Sequence, residues 1–134
     1  MMYKRLTHIG IAVRDLDRST SLFSSLLGKG KHHSEEVLEQ RVKAAFFRIG
    51  EAGLELLEPT SPDSPIAKFI EKRGEGVHHL SFEVDDIDLE IARLKQEGFH
   101  MIDEEPRMGA DGYRIAFLHP KSTNGVLVEI SQKI

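Results

Sequence analysis

The feature that most limits what this chain can fold into is an internal repeat. Thr7-His8-Ile9-Gly10-Ile11-Ala12-Val13-Arg14-Asp15-Leu16-Asp17 and His78-His79-Leu80-Ser81-Phe82-Glu83-Val84-Asp85-Asp86-Ile87-Asp88 read as copies, 79 − 8 = 71 positions apart. The same offset matches Val13 with Val84, Asp15 with Asp86 and Asp17 with Asp88. A duplicated unit that closes on itself brings equivalent residues together at a pseudo-two-fold axis. Each copy carries a histidine at the matching place, His8 and His79, so the pair would form half of a metal site. A chain of 134 residues has the length of one domain, so the copies are two halves of one fold.

Each copy has the same grammar. His8 to Val13 is a short apolar, β-branched run; Leu16, Thr20, Phe23 and Leu27 then recur at helical spacing behind Asp15 until Gly28 stops the helix. In the second copy Leu80 to Val84 reads as the strand, Asp86 as the cap, Ile87, Ile91 and Leu94 as one helical face, and Gly98 as the stop. Further strands are expected at His32 to Leu38, Val42 to Ile49 and Leu54 to Leu57, and at Phe99 to Asp103, Arg114 to Leu118 and Val126 to Ile130. Each half is therefore β-α-β-β-β, an α+β arrangement. Module one covers about residues 5–58 and module two about 77–132, within a single domain over 1–134. Between them Ser64 as N-cap, Pro65 at the first helical position and Gly74 as the stop predict a linker helix over about 64–73.

Composition narrows the chemistry. The chain has no cysteine, which removes disulfides and thiolate metal sites and fits a reducing compartment. Any metal must then be held by His, Asp or Glu. A formal charge of −4 with no basic run argues against a nucleic-acid surface. The N-terminal Met1-Met2-Tyr3-Lys4-Arg5-Leu6 leads straight into a strand with no long apolar stretch, so no membrane association and a cytoplasmic setting are expected. Glu129 interrupts the apolar run Val126-Leu127-Val128-Glu129-Ile130, and a carboxylate in a core costs several kcal/mol unless paired or metal-bound. With His8 and His79 it would complete an N,N,O set. A fourth oxygen could come from Glu58, which keeps the repeat offset without a gap, or from Glu55, which requires three extra residues in the last hairpin of the second half. Spacing leaves both open. Of the adjacent His78 and His79, only one can face inward on a strand, and the repeat favours His79.

Taken together, His8-Ile9-Gly10-Ile11-Ala12-Val13, Glu55-Leu56-Leu57-Glu58-Pro59, Asp63-Ser64-Pro65-Ile66-Ala67-Lys68-Phe69, Gly76-Val77-His78-His79-Leu80 and His119-Pro120-Lys121-Ser122-Thr123-Asn124-Gly125-Val126-Leu127-Val128-Glu129 resemble one family nearly end to end. It is the methylmalonyl-CoA epimerase branch of the vicinal oxygen chelate (glyoxalase/dioxygenase-like) superfamily. The linker helix and the His119 to Leu127 stretch are the parts specific to that branch. The resemblance implies paired modules in a cup-shaped mixed sheet around a divalent metal, often cobalt, and a homodimer. It implies metal ligands at His8, His79, Glu129 and Glu55, and epimerisation of methylmalonyl-CoA by C2 proton abstraction through a metal-stabilised enolate. Glu129 and Glu55 are then the candidate proton-transfer groups, and Glu58 a structural acid. One departure is visible: a glutamate that some members carry on the strand after Glu39-Gln40 is Ala44 here.

Lys121 and Ser122 precede the Glu129 strand, where a cation and backbone amides suit the substrate carboxylate or the phosphates of coenzyme A. Arg114 is a further anion-binding candidate, and Asp103-Glu104-Glu105-Pro106 reads as a solvated turn. The competing readings are a glyoxalase I-type lyase or ring-cleaving dioxygenase on a similar ligand set, and a metal-free binding module. The three ligand-type residues speak against the module; the linker and the His119 loop speak against the other enzymes.

Overall fold

The computed structural model describes residues 2–134. Its elements follow in the order β1 (Tyr3–Ala12), α1 (Leu16–Leu27), β2 (His33–Val37), β3 (Val42–Ile49), β4 (Ala52–Pro59), α2 (Pro65–Arg73), β5 (Gly76–Val84), α3 (Ile87–Gln96), β6 (Arg107–Met108), β7 (Tyr113–Leu118) and β8 (Val128–Lys133). Both β-α-β-β-β halves and the linker helix are present. The capping chemistry explains why the helices start where they do. Asp15 accepts from Arg18 N at 3.0 Å, Ser64 from Ile66 N at 3.2 Å and Asp86 from Leu89 N at 3.1 Å, each satisfying a backbone donor that the first turn leaves unpaired. Gly28 ends α1 at φ +70°, a left-handed turn that an L side chain adopts only with strain.

The compact units do not follow the sequence halves. One groups the chain up to His8 with His79–Ile134, the other is Ile9–His78. In the Ile9–His78 unit β2, β3 and β4 form an antiparallel ladder, and Val13 N donates to Leu57 O at 2.9 Å. Its core is Val13, Ala45, Phe47 and Leu56, against which Leu16, Phe23 and Leu27 of α1 pack. In the other unit β5 runs parallel to β8, and β8 antiparallel to β7. There Val84, Ile87, Ile91, Leu94, Met101, Ala116, Leu118 and Ile130 form the core, with α3 laid on one face of the strands.

Two expected strands differ. Phe99 to Asp103 contributes only an isolated bridge, Met101 to Leu118, because Asp103 turns its carboxylate back to accept from Phe117 N at 2.8 Å and from Arg107 Nε at 3.1 Å. The second strand of this half is instead the short β6. Asp103 is accordingly a tethering residue and not a solvated one. The last strand starts at Val128, two residues late, because Asn124 and Gly125 both take positive φ and the turn closes through Val126 N to Thr123 O at 3.1 Å. No helix among the described residues is long and apolar enough to cross a membrane.

One ion pair within α3 has a buried carboxylate. Glu90 is fully buried and takes both Arg93 Nε and Nη2 at 2.8 Å. The hydrogen bond from Arg93 holds the Glu90 carboxyl below its ordinary 4.5, against the opposing pull of burial. Tyr3 is pushed up from 10.0 to about 12 by burial first and by its hydrogen bond to Glu90 second. The lowered carboxyl stabilises the fold above its unfolded value, and that stability is lost as pH falls through the folded one. The raised phenol stabilises below its unfolded value and loses this as pH rises from 10.0 towards about 12. Glu90→Gln is expected to cost about 1–3 kcal/mol in denaturant melts, less than a fully buried pair because Arg93 is half exposed. It should also flatten the acid limb of the stability profile, while Tyr3→Phe flattens the alkaline limb; parallel profiles in parent and variants would contradict the linkage.

Candidate metal centre

Three predicted residues converge in the unit formed by the chain up to His8 and His79–Ile134. His8 Nε2 lies 3.0 Å from His79 Nε2, and Glu129 Oε1 lies 3.5 Å from the first and 3.9 Å from the second. His79 and Glu129 are 4 % and 5 % exposed, and the His8 side chain is 17 % exposed. The cluster is therefore dry on two sides and open at His8. Strand geometry produces this convergence: Ser81 of β5 stands opposite Glu129 of β8, and alternation puts His79 on the same face as Ser81.

Neighbouring residues orient the two imidazoles. Thr7 Oγ1 donates its proton to Ser81 O at 3.0 Å, so at 3.3 Å it can only accept from His8 Nδ1. That places the ring proton of His8 on Nδ1 and leaves a lone pair on Nε2, the tautomer a metal ligand needs. The His79 ring is held edge-on by Phe117, with centroids 5.7 Å apart at 87°. Thr7 and Phe117 were not singled out in the sequence, although Phe117 repeats Phe46 at the 71-residue offset, 117 − 46.

The donor set fits a divalent ion. The three donor atoms lie within 4.8 Å of one another. Bonds from such an ion to imidazole nitrogen and carboxylate oxygen are about 2.0–2.2 Å, and the three donor atoms are close enough together for one ion to reach them all. The set also carries a buried negative charge that needs an opposite one. Ser81 Oγ, fully buried, has no hydrogen-bond partner among the described residues, and its register position sets it beside Glu129.

Two pairs of contacts fix the register of the repeat, each within its own unit. Phe46 stands opposite Glu55 in the β3–β4 ladder, and Phe117 opposite Glu129 in the β7–β8 ladder. Leu16 N donates to Glu58 Oε1 at 2.7 Å, and Ile87 N donates to Gln132 Oε1 at 2.9 Å. The first partners differ by 117 − 46 = 87 − 16 = 71, the second by 129 − 55 = 132 − 58 = 74. The counterpart of Glu129 is thus Glu55, buried at 5 % exposure, while the counterpart of Glu58 is Gln132. The gap-free pairing of Glu58 with Glu129 does not hold. Residues 48–53 connect Phe47 to Leu54, whereas 119–127 connect Leu118 to Val128, which accounts for the three extra residues. Glu58 holds the N-terminus of α1, where an anion is favoured.

The anion-binding candidates fall as follows. Lys121 is exposed on a short 3-10 turn whose backbone is pinned by Lys121 N to His119 Nδ1 at 3.0 Å. Ser122 Oγ accepts from His100 N at 2.8 Å and keeps its own proton to donate. Arg114 is paired with Asp88 at 3.3 Å on the surface. Ala44 is buried on β3 opposite Leu57.

Comparison with known proteins identifies the fold and the family. Residues 7–117 match the Glyoxalase/Bleomycin resistance protein/Dioxygenase superfamily. The human mitochondrial methylmalonyl-CoA epimerase is 39% identical over 129 residues, covering 96% of this chain and 73% of that protein. A solved variant of the Streptomyces coelicolor methylmalonyl-CoA epimerase, in complex with 2-nitronate-propionyl-CoA, superposes with a TM-score of 0.94 at 40% identity, covering 98% of this chain and 95% of that one. A methylmalonyl-CoA epimerase solved with methylmalonyl-CoA and ammonium gives 0.94 at 40%, covering 99% and 96%. The fold is the glyoxalase-family fold that the repeat and the resemblance led one to expect.

Thr7→Val should lower affinity for Co2+ or Zn2+ about 10- to 100-fold in calorimetric titration, since it releases the His8 tautomer. Glu58→Ala should cost about 1 kcal/mol of stability through the lost helix cap and leave ion affinity unchanged. The reverse pattern would return Glu58 to the ligand set.

Proposed function

The chain belongs to the Glyoxalase/Bleomycin resistance protein/Dioxygenase superfamily and, within it, to the methylmalonyl-CoA epimerases, and from this we propose that it interconverts the C2 epimers of methylmalonyl-CoA. The observation that carries the proposal is the His8, His79 and Glu129 cluster, in a chain whose near-full-length relatives include an epimerase holding methylmalonyl-CoA.

His8, His79 and Glu129 would hold a divalent ion, with Glu55, the positional equivalent of Glu129, as the fourth ligand. Such an ion supplies Lewis acidity towards the oxygens of the thioester and carboxylate. The residues supply the rest. Thr7 and Phe117 orient the two imidazoles, and the burial of Glu129 and His79 excludes water from the proton being exchanged. Glu129 and Glu55 are assigned to proton transfer: one carboxylate oxygen takes the C2 proton, and a proton is returned to the other face. Ala44 removes a third candidate base, so this work rests on these two. Lys121 and the Ser122 hydroxyl are assigned to anionic groups of the acyl-CoA. Cobalt as the ion, a homodimer, a cytoplasmic setting and one functional domain over residues 1–134 complete the reading; the family resemblance and the cysteine-free composition support it.

The test is isotope exchange. The metal-loaded protein incubated with methylmalonyl-CoA in deuterated water should exchange the C2 proton and scramble the C2 configuration. Conversion of methylglyoxal–glutathione hemithioacetal with no exchange at C2 would make it a lyase instead. Glu55→Gln should depress turnover or ion binding more than Glu58→Gln does.

A further inference from the structure

We propose that Arg107 binds an anionic group of the acyl-CoA, a proposal that rests on the epimerase reading above. The position follows from strand alternation. Arg107 of β6 stands opposite Ile115 of β7; Phe117, two residues on, stands opposite Glu129 of β8. Residues opposite one another, or two apart along a strand, share a face of the sheet. Arg107 is therefore on the face that carries Glu129, Ser81 and His79. Its guanidinium lies over the ring of Phe117, Cζ 5.8 Å from the centroid, and Phe117 is the ring that stands edge-on to His79.

The guanidinium is held in place and only partly used. Arg107 Nε donates to Asp103 Oδ1 at 3.1 Å, and Asp103 Oδ2 accepts from Phe117 N at 2.8 Å, so one carboxylate ties the cation to the strand beneath it. The hairpin is fixed as well: Gly109 N donates to Tyr113 O at 2.9 Å, and a β-carbon at Gly109 would lie 2.8 Å from Ile115 Cγ2. Contact through Nε leaves the terminal amino groups for a second oxyanion, carboxylate or phosphate, which a guanidinium can take in a two-point contact that lysine lacks. The side chain is 32 % exposed, open to a solute yet backed by an aromatic face. The chain is acidic overall, at −4, so a negatively charged substrate needs cations placed locally. Both ends of the acyl-CoA carry such an oxyanion, the acyl carboxylate at one and the phosphates of the carrier at the other.

Calorimetry on the metal-loaded protein distinguishes these sources with methylmalonyl-CoA and propionyl-CoA, which lacks the carboxylate. Arg107→Met should weaken methylmalonyl-CoA binding and raise its KM about 10- to 100-fold, with a smaller change in kcat, and Arg107→Lys should recover part of the loss. A loss confined to methylmalonyl-CoA assigns the carboxylate, and an equal loss for propionyl-CoA assigns a phosphate. Unchanged affinity for both ligands in a folded Arg107→Met overturns the proposal; should that variant melt below the assay temperature, Arg107→Gln carries the same comparison. If the parent protein binds methylmalonyl-CoA more tightly than Arg107→Met does but never exchanges the C2 proton, the epimerase reading fails and the role of Arg107 stands.

Discussion

The structure of the site depends on one buried carboxylate. Glu129, at 5 % exposure, is on the face of β8 opposite the one that turns Ile130 into the core, and the imidazole nitrogens of His8 and His79 stand 3.5 and 3.9 Å from its Oε1. A carboxylate in that position is expensive unless a cation meets it. The surrounding architecture makes sense as provision for that cation. The parallel β5–β8 register aims His79 and Glu129 at one point, Thr7 turns the lone pair of His8 towards them, and Phe117 stops the His79 ring from rotating away.

Duplication accounts for the wiring and divergence for the chemistry. Both units fasten the N-terminus of their first helix with a side-chain oxygen from their last strand, Glu58 in one and Gln132 in the other. Both place a buried glutamate three residues earlier, opposite a phenylalanine. What differs is the hairpin before that last strand. The longer connection of residues 119–127 carries Lys121 and Ser122 and is held by its own turn and by His100. An insertion that leaves the flanking ladder intact adds a loop without disturbing the ligand positions.

Much of this was legible in the sequence because local signals agreed with the global fold. The three helices sit where Asp15, Ser64 and Asp86 start them, since a cap is a short-range device that needs no tertiary information. The repeat identified His8 and His79, and the interrupted apolar run identified Glu129. Spacing did not fix the register of Glu55, because it depends on which residues pair across a hairpin. Phe99 to Asp103 looked like a strand by its apolar content, but a side-chain carboxylate that bonds a distant backbone amide overrides propensity. Thr7 and Arg107 escaped for a related reason. Their roles come from a neighbour across the sheet, at Ser81 and at Phe117, which no local pattern encodes.

His8, His79 and Glu129 are proposed to hold a divalent ion. X-ray absorption at the metal edge of the cobalt-loaded protein addresses this proposal most directly. The expected result is one tightly held ion per chain with two imidazoles among its ligands, and the loss of one imidazole signal in His8→Ala. An ion bound without imidazole, or a folded protein that retains no divalent ion, would contradict it.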